Sequence, residues 1–355
     1  MQLTDYTKRL LDDVERRIDA EAEDDFIAQW ENFWDGKCED IIFRPMRKKI
    51  TAPGIELQNT HINDAVHDYE LMLDMQMEGV STALNSVSNA LSIRADYGTG
   101  IMTSIFGAEI FEMPREMKTR PTTRSLNNSD AVRCILEKGI PDLNRGFGKD
   151  VFHFGEMCVE IFKDYPSISK YVRVYHPDTQ GPLDIAELLW GSEMFYEMYD
   201  DPDFVHEVLD LITNTYIEVM DRWYRIWPDR EGLTLHWNIM QKGAIMIRND
   251  SAMNISSEMY GEFALPYDVK LLDYYKGGCV HYCGRGDHYI GQLMAKNNLY
   301  GVNLSQPHYN DMEKIFRETF IHNKKLLDMN EYTCREYAKR EDAVRGMIHC
   351  ATFKA

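Results

Sequence analysis

Residues 277–286 read Gly-Gly-Cys-Val-His-Tyr-Cys-Gly-Arg-Gly. Glycines bracket an apolar run of strand length, so the run is a short strand that ends at Cys283 in a turn. Successive strand residues point to opposite faces. Cys279, His281 and Cys283 therefore share one face, and Val280 and Tyr282 face away. His281-x-Cys283 offers an imidazole and a thiol at strand spacing, and Cys350, near the end of the sequence, is the third donor expected. Three such ligands leave a tetrahedral zinc one open position, the arrangement of a catalytic site. On spacing alone the other reading, ordinary small buried residues, stays open. Cys279 lies one residue pair deeper and reads as core.

Seven further apolar runs have strand length: 91–95 (LSIRA), 107–111 (GAEIF), 171–176 (YVRVYH), 244–248 (AIMIR), 299–304 (LYGVNL), 325–329 (KLLDM) and 346–350 (GMIHC). Helices lie between several of them. Asp201-Pro202 caps and starts one whose buried face carries Val205, Val208, Leu211, Ile212, Val219 and Met220. Ser256 or Ser257 starts another that runs to Tyr275, kinked or interrupted at Pro266. Eight strands alternating with helices predict an α/β fold, a (β/α)8 TIM barrel over residues 81–355. Cys283 and Cys350 then sit at the C-terminal rim, where barrel enzymes keep their chemistry. An open doubly wound sheet is the runner-up. No strand, however, leads into a Gly-x-Gly-x-x-Gly phosphate turn, and Cys283-Gly284-Arg285-Gly286 lacks the third glycine.

Residues 1–80 read as an N-terminal helical extension packed on the barrel. Leu10, Leu11, Val14 and Ile18, then Phe26, Trp30, Phe33 and Trp34, recur at three- and four-residue spacing over 3–35. A second helix runs from His67 to about Leu84. The aromatic stripe packs against the core or against a second subunit of a homodimer.

Lys and Arg number 39 against 58 Asp and Glu, a net charge of −19. That balance argues against a nucleic-acid or anionic-membrane surface, and Arg44–Lys49 reads as a solvated or partner-facing stretch. No run approaches the roughly 18 apolar residues of a membrane span. The first 25 residues are too charged for a secretion signal. The expected location is cytoplasmic, where the seven cysteines are reduced thiols. Cys38, Cys134, Cys158 and Cys334 read as small buried residues.

Several stretches together resemble one family. They are Ala95-Asp96-Tyr97-Gly98-Thr99-Gly100 with Phe106-Gly107-Ala108-Glu109, and His176-Pro177-Asp178-Thr179-Gln180-Gly181-Pro182. Ile255-Ser256-Ser257-Glu258-Met259-Tyr260-Gly261-Glu262-Phe263 with Pro266-Tyr267, and His281-Tyr282-Cys283-Gly284, complete the set. In this combination residues 60 to 355 resemble the uroporphyrinogen decarboxylase superfamily, in particular its zinc methyltransferase branch. The resemblance implies a zinc held by His281, Cys283 and Cys350. It implies methyl transfer between a corrinoid (methylcobalamin) on a separate corrinoid-binding protein and a small-molecule partner, a thiol acceptor or a methylated donor. This chain has no Asp-x-His-x-x-Gly corrinoid motif of its own. It also lacks the decarboxylases' Arg-Gln-Ala-Gly-Arg carboxylate grip, since Phe43-Arg44-Pro45-Met46-Arg47-Lys48-Lys49 is all it offers there. Porphyrin decarboxylation is therefore not expected.

Polar residues at strand ends complete the expected site. Asp96, at the position resembling the superfamily's substrate-binding aspartate, is expected to be catalytic with His176 and His236. Asp178, Gln180 and Asp250 are expected to bind substrate. For each the plain alternative is a loop hydrogen bond or a helix cap. Two rival functions remain at this stage. One is a metal-free decarboxylase acting on a non-porphyrin substrate, and the other a barrel that binds a corrinoid or tetrapyrrole without catalysis.

Overall fold

The computed structural model describes residues 2–228 and 232–351. Six strands form one parallel sheet. Their order is Ile42–Phe43, Ile348–Cys350, Lys325–Met329, Leu299–Leu304, Gly278–Tyr282 and Ile245–Arg248. Parallel neighbours need a crossover, and helices supply it. Leu265–Tyr274 precedes Gly278–Tyr282, Ile290–Met294 precedes Leu299–Leu304, and Met312–His322 precedes Lys325–Met329. The fold is mixed α/β.

A second parallel ladder, separate from the sheet, pairs Ser92–Ile93 with Arg173–Val174. Among the described residues the hydrogen-bonded ladders do not close into a ring. The run 107–111 is not a wall strand. Gly107, at φ +99°, ends the helix Ile101–Phe106, and only Ile110–Phe111 is extended, antiparallel to Thr122–Thr123. Left-handed backbone is glycine's territory, so the first half of that run serves as a helix stop. The sixth strand of the sheet comes instead from Ile42–Phe43, inside the segment read as helical.

The sequence reading also missed a hairpin. Leu233–His236 and Ile239–Lys242 pair antiparallel around Trp237-Asn238. Leu233, Leu235, Ile239 and Met240 bury against Cys279, Met246, Leu327 and the aromatic stripe Phe26, Trp30, Phe33 and Trp34. The stripe is therefore core, and Trp34 Nε1 donates to the Met240 carbonyl at 2.9 Å. The hairpin fills the space on the inner face of the sheet and carries its tip toward the ends of the strands. The predicted helix over 3–35 is two helices, Asp5–Arg17 and Ala20–Trp34, the second N-capped by Asp19. Pro266 interrupts its helix as expected, giving Ser257–Phe263 and Leu265–Tyr274.

Arg47 corrects the reading of the basic stretch. Its buried guanidinium meets both carboxylate oxygens of Glu23, at 2.6 and 3.0 Å, and donates to the carbonyls of Ala83, Ser86 and Asn89. Among the described residues no helix is long and apolar enough to cross a membrane.

Candidate metal centre

Strand Gly278–Tyr282 delivers His281 from its buried inner face and Cys283 just past its end. The neighbouring strand Ile245–Arg248 ends one residue pair before Asp250. One donor atom from each of Asp250, His281 and Cys283 lies within 4.8 Å of the other two. His281 Nε2 is 3.5 Å from Cys283 Sγ and 3.6 Å from Asp250 Oδ1.

The orientation of the imidazole follows from its other nitrogen. His281 Nδ1 donates to Asn303 Oδ1 at 2.5 Å, and Asn303 Nδ2 donates to the Leu327 carbonyl at 2.9 Å. The carbonyl fixes which way the amide points, so the amide oxygen faces the ring. The proton then belongs on Nδ1, and the Nε2 lone pair faces Cys283 and Asp250. Such an outer partner is what a metal-bound histidine requires. Asp250 is held in turn by Cys283 N–H, which donates to its Oδ1 at 2.6 Å. Its own N–H and that of Ser251 donate to Asp184, at 2.9 and 2.8 Å.

An imidazole nitrogen, a thiol and a carboxylate oxygen form a donor set that suits zinc. The three fit a divalent ion with one position left for substrate. Burial, and next the Asp250 carboxylate, push the Cys283 thiol above its ordinary range, so without a cation beside it the sulfur keeps its proton. Replacing Asn303 with Ala should weaken binding of a divalent metal at this triad roughly 10–100-fold, the usual cost of removing an outer partner. Competition with a chromophoric chelator measures it, and an unchanged affinity would remove Asn303 from this role.

Cys350 is not brought to this cluster. Its Sγ lies 3.4 Å from Glu331 Oε2 and it packs with Ile348, Met329 and Cys334 against the surrounding helices. Its neighbour His349 lies on the other face, against Trp30 and Phe43, with ring centroids 4.6 and 5.9 Å away. In 346–350 the run Met347-Ile348-His349-Cys350 is too short for alternation to decide which face turns toward the aromatic stripe, and tertiary packing turned His349 there rather than Cys350. Asp250, expected as a substrate binder, takes the third place. Cys279 is fully buried core.

The other expected residues form a second, contiguous array. Arg120 donates to Asp96 through Nε and Nη2 at 2.9 and 2.8 Å, and Arg94 Nη2 reaches Asp96 Oδ1 at 2.8 Å. Arg94 Nη1 lies 3.5 Å from Asp178, which also meets Arg248 and accepts from Gln180. Arg248 Nη2 donates to His236 Nε2 at 2.5 Å. Burial pushes the Asp96 carboxyl up, but Arg94 and Arg120 outweigh it and hold it below its ordinary range. Gln180 and Trp237 both have positive φ, +62° and +52°, held by the packing around them.

His236 and His176 stack at 5.4 Å. Burial, then the fields of His176 and Arg94, drive His236 well below its ordinary value, so it is a neutral acceptor. His176 donates from Nδ1 to the Pro177 carbonyl at 2.8 Å and accepts the Met246 N–H at 3.3 Å. Burial pushes it down to about 4. An unfolded histidine titrates near 6.5, so folding favours the neutral ring. The stability this contributes, roughly 3 kcal/mol, is complete above pH 6.5 and is lost as pH falls through about 4. Replacing His176 with Gln should flatten the decline of unfolding free energy near pH 5 by close to one proton, about 1.4 kcal/mol per pH unit. Urea titrations at several pH values test this, and an unchanged slope would show that the ring does not titrate on unfolding.

Arg94, Arg120, Arg248, Asn303 and Trp237 were not singled out by sequence reasoning. Arg94 stands two residues before Asp96, both just past strand Ser92–Ile93, and Asn303 is a lone amide in an apolar strand. Both were legible signals. Trp237 joins the array to the metal cluster, its ring edge-on to His281 at 4.9 Å and under the Arg248 guanidinium at 4.8 Å. Comparison with protein-family models gave no match, and comparison with curated proteins gave none either.

Proposed function

We propose that this protein is a zinc-dependent methyltransferase of the corrinoid-linked kind. It would move a methyl group between a corrinoid on a partner protein and a small molecule, a thiol or a methylated donor. The observation that carries the reading is the convergence of Asp250, His281 and Cys283, with the His281 tautomer set by Asn303. On this reading the six-stranded sheet and the 92–93/173–174 ladder belong to the wall of a (β/α)8 barrel over residues 81–355. Residues 1–80 pack on that barrel, and the chain works in the cytoplasm. The motif resemblance from Asp96 to Cys283 supports the same assignment.

Asp250, His281 and Cys283 would hold the metal. When bound it supplies Lewis acidity, which lowers the pKa of a thiol or polarises a methylated heteroatom. The chain's own groups do the rest. Asn303 keeps a proton on His281 Nδ1, so that Nε2 presents its lone pair. Cys283 must give up its proton to become a ligand, which makes metal uptake pH-dependent. Trp237 lies edge-on against His281 and lines one side of the cluster. His176 and His236, both held neutral, offer no charge to the site and accept hydrogen bonds from Met246 N–H and Arg248.

Metal analysis combined with turnover tests the proposal. Purified protein should carry close to one zinc per chain. With zinc present it should demethylate methylcobalamin in the presence of a thiol, or methylate reduced cobalamin from a methylated donor. Protein with well under one zinc and no gain of activity on adding it would sink the reading.

A further inference from the structure

Asp328 breaks the pattern of its strand. Leu326 pairs with Ile348 and Met329 with Cys350, so three steps along Lys325–Met329 face two along the neighbouring strand. The extra residue makes a bulge, and bulges re-aim side chains beside functional sites. Asp328, inside it, has φ +61°, a left-handed backbone that glycine adopts freely and an aspartate only at a cost. Its N–H donates to His349 Nδ1 at 3.1 Å, and the His349 ring is fixed against Trp30 and Phe43. The rest of the strand is buried, and Asp328 alone is exposed.

That exposure is toward a cavity of about 700 Å³, whose wall also includes Met75, Arg94, Asp96, Arg120 and Trp237. The volume is in the range of small-molecule sites. Trp237 also meets His281 edge-on at 4.9 Å, so a molecule against its ring lies one side chain from the metal cluster. Two arginines and two acids are the charged groups of the wall. Arg94 and Arg120 both close on Asp96, at 2.8 Å each. The Asp328 carboxylate has no hydrogen-bond or ion-pair partner among the described residues. The space is enclosed enough for the surrounding protein to push its carboxyl up. Backbone strain and an unpartnered carboxylate thus coincide at one residue, and nothing in the protein offsets either. A bound ion of either sign would leave this balanced wall with a net charge. A neutral O–H or N–H donor satisfies the carboxylate and keeps the balance.

We propose that Asp328 is a specificity-determining residue of this cavity. Its carboxylate accepts a hydrogen bond from an uncharged hydroxyl or amide group of the substrate, whose body lies along Met75 and Trp237. This names the substrate class of the transfer inferred above, and rests on that reading only for what is done to the bound molecule.

Four flat probes of one size separate the possibilities. Benzamide is a neutral donor, acetophenone has a methyl in place of the amide nitrogen, benzoate is an anion and benzamidine a cation. Calorimetric titration of the full-length protein should show saturable benzamide binding, with each of the others at least tenfold weaker. Asp328→Gly should weaken benzamide at least tenfold, with a melting temperature unchanged or higher. Glycine removes the strain, which offsets its greater freedom in the unfolded chain. A merely structural aspartate would lower the melting temperature instead. Asp328→Asn keeps an acceptor and tolerates the left-handed backbone, so its affinity for benzamide should fall between. No binding of benzamide, another probe binding as well as it does, an Asp328→Gly protein that binds as the parent does, or one that melts several degrees lower would each overturn the proposal. The two readings fail separately. Parent protein that binds benzamide with this selectivity, yet carries no zinc and transfers no methyl group, leaves the site standing and removes the methyltransferase. Methyl transfer by Asp328→Gly with an unchanged KM does the reverse.

Discussion

Cys283→Ser should strip the metal and abolish methyl transfer while the chain stays folded. Three side chains supply the donors, and serine offers in place of a thiolate a hydroxyl that does not ionise near neutral pH. The loss of affinity should exceed the roughly 10–100-fold that an outer partner costs. Folding should be spared because Cys283 lies at the end of its strand and is only half-buried. Its backbone N–H still reaches Asp250, since that bond does not involve the side chain. His281→Ala should give the same metal loss with a larger cost in stability, because it orphans Asn303 Oδ1 in the interior. Metal content after dialysis, circular dichroism and turnover separate these outcomes. A Cys283→Ser protein that keeps stoichiometric zinc would place the ion elsewhere. Cys350→Ser is the internal comparison: its thiol is turned to Glu331 and away from the cluster, so zinc content should hardly change.

Glu23→Ala should cost about 3–5 kcal/mol, the loss seen when one member of a buried ion pair is removed. The Arg47 side chain is fully buried and Glu23 is 5% exposed. Removing the carboxylate leaves the guanidinium with three backbone carbonyls and the ring of Phe26, 4.8 Å away, but no counter-charge. Arg47→Met should be at least as damaging, because the carbonyls of Ala83, Ser86 and Asn89 then lose their donor. The double replacement should not restore stability for the same reason. This pair joins helix Ala20–Trp34 to the turn that follows helix Tyr69–Ala83, so its loss also loosens the approach to strand Ser92–Ile93. Urea unfolding measures the effect. A change below about 1 kcal/mol would mean that the pair is no better than a surface one.

Much of the layout was legible in the chain, because local rules govern it. Gly278–Tyr282, Leu299–Leu304, Lys325–Met329 and Ile245–Arg248 are short apolar runs between turn signals, and all four are strands of the parallel sheet. Asp201-Pro202 opens its helix and Pro266 interrupts another, since a cap and a missing N–H act within a few residues. His281 and Cys283 were legible as a pair because strand geometry alone sets residues two apart on one face. Arg47 was not: a basic cluster looks solvated until the fold brings Glu23 to it.

What the tertiary structure decided are the contacts between segments distant in sequence. Asp250 joins His281 and Cys283 because two neighbouring parallel strands end side by side, and no spacing along the chain records that adjacency. Cys350 drops out because packing turns its neighbour His349 toward Trp30 and Phe43, which leaves Cys350 on the opposite face of a strand too short for its own pattern to decide. The hairpin at 233–242 became the filling of the interior because its apolar side chains meet the aromatic stripe of a helix some 200 residues earlier. The sequence determined which side chains can bind a metal. Only the pairing of strands, a long-range hydrogen-bonded register, determined which of them meet.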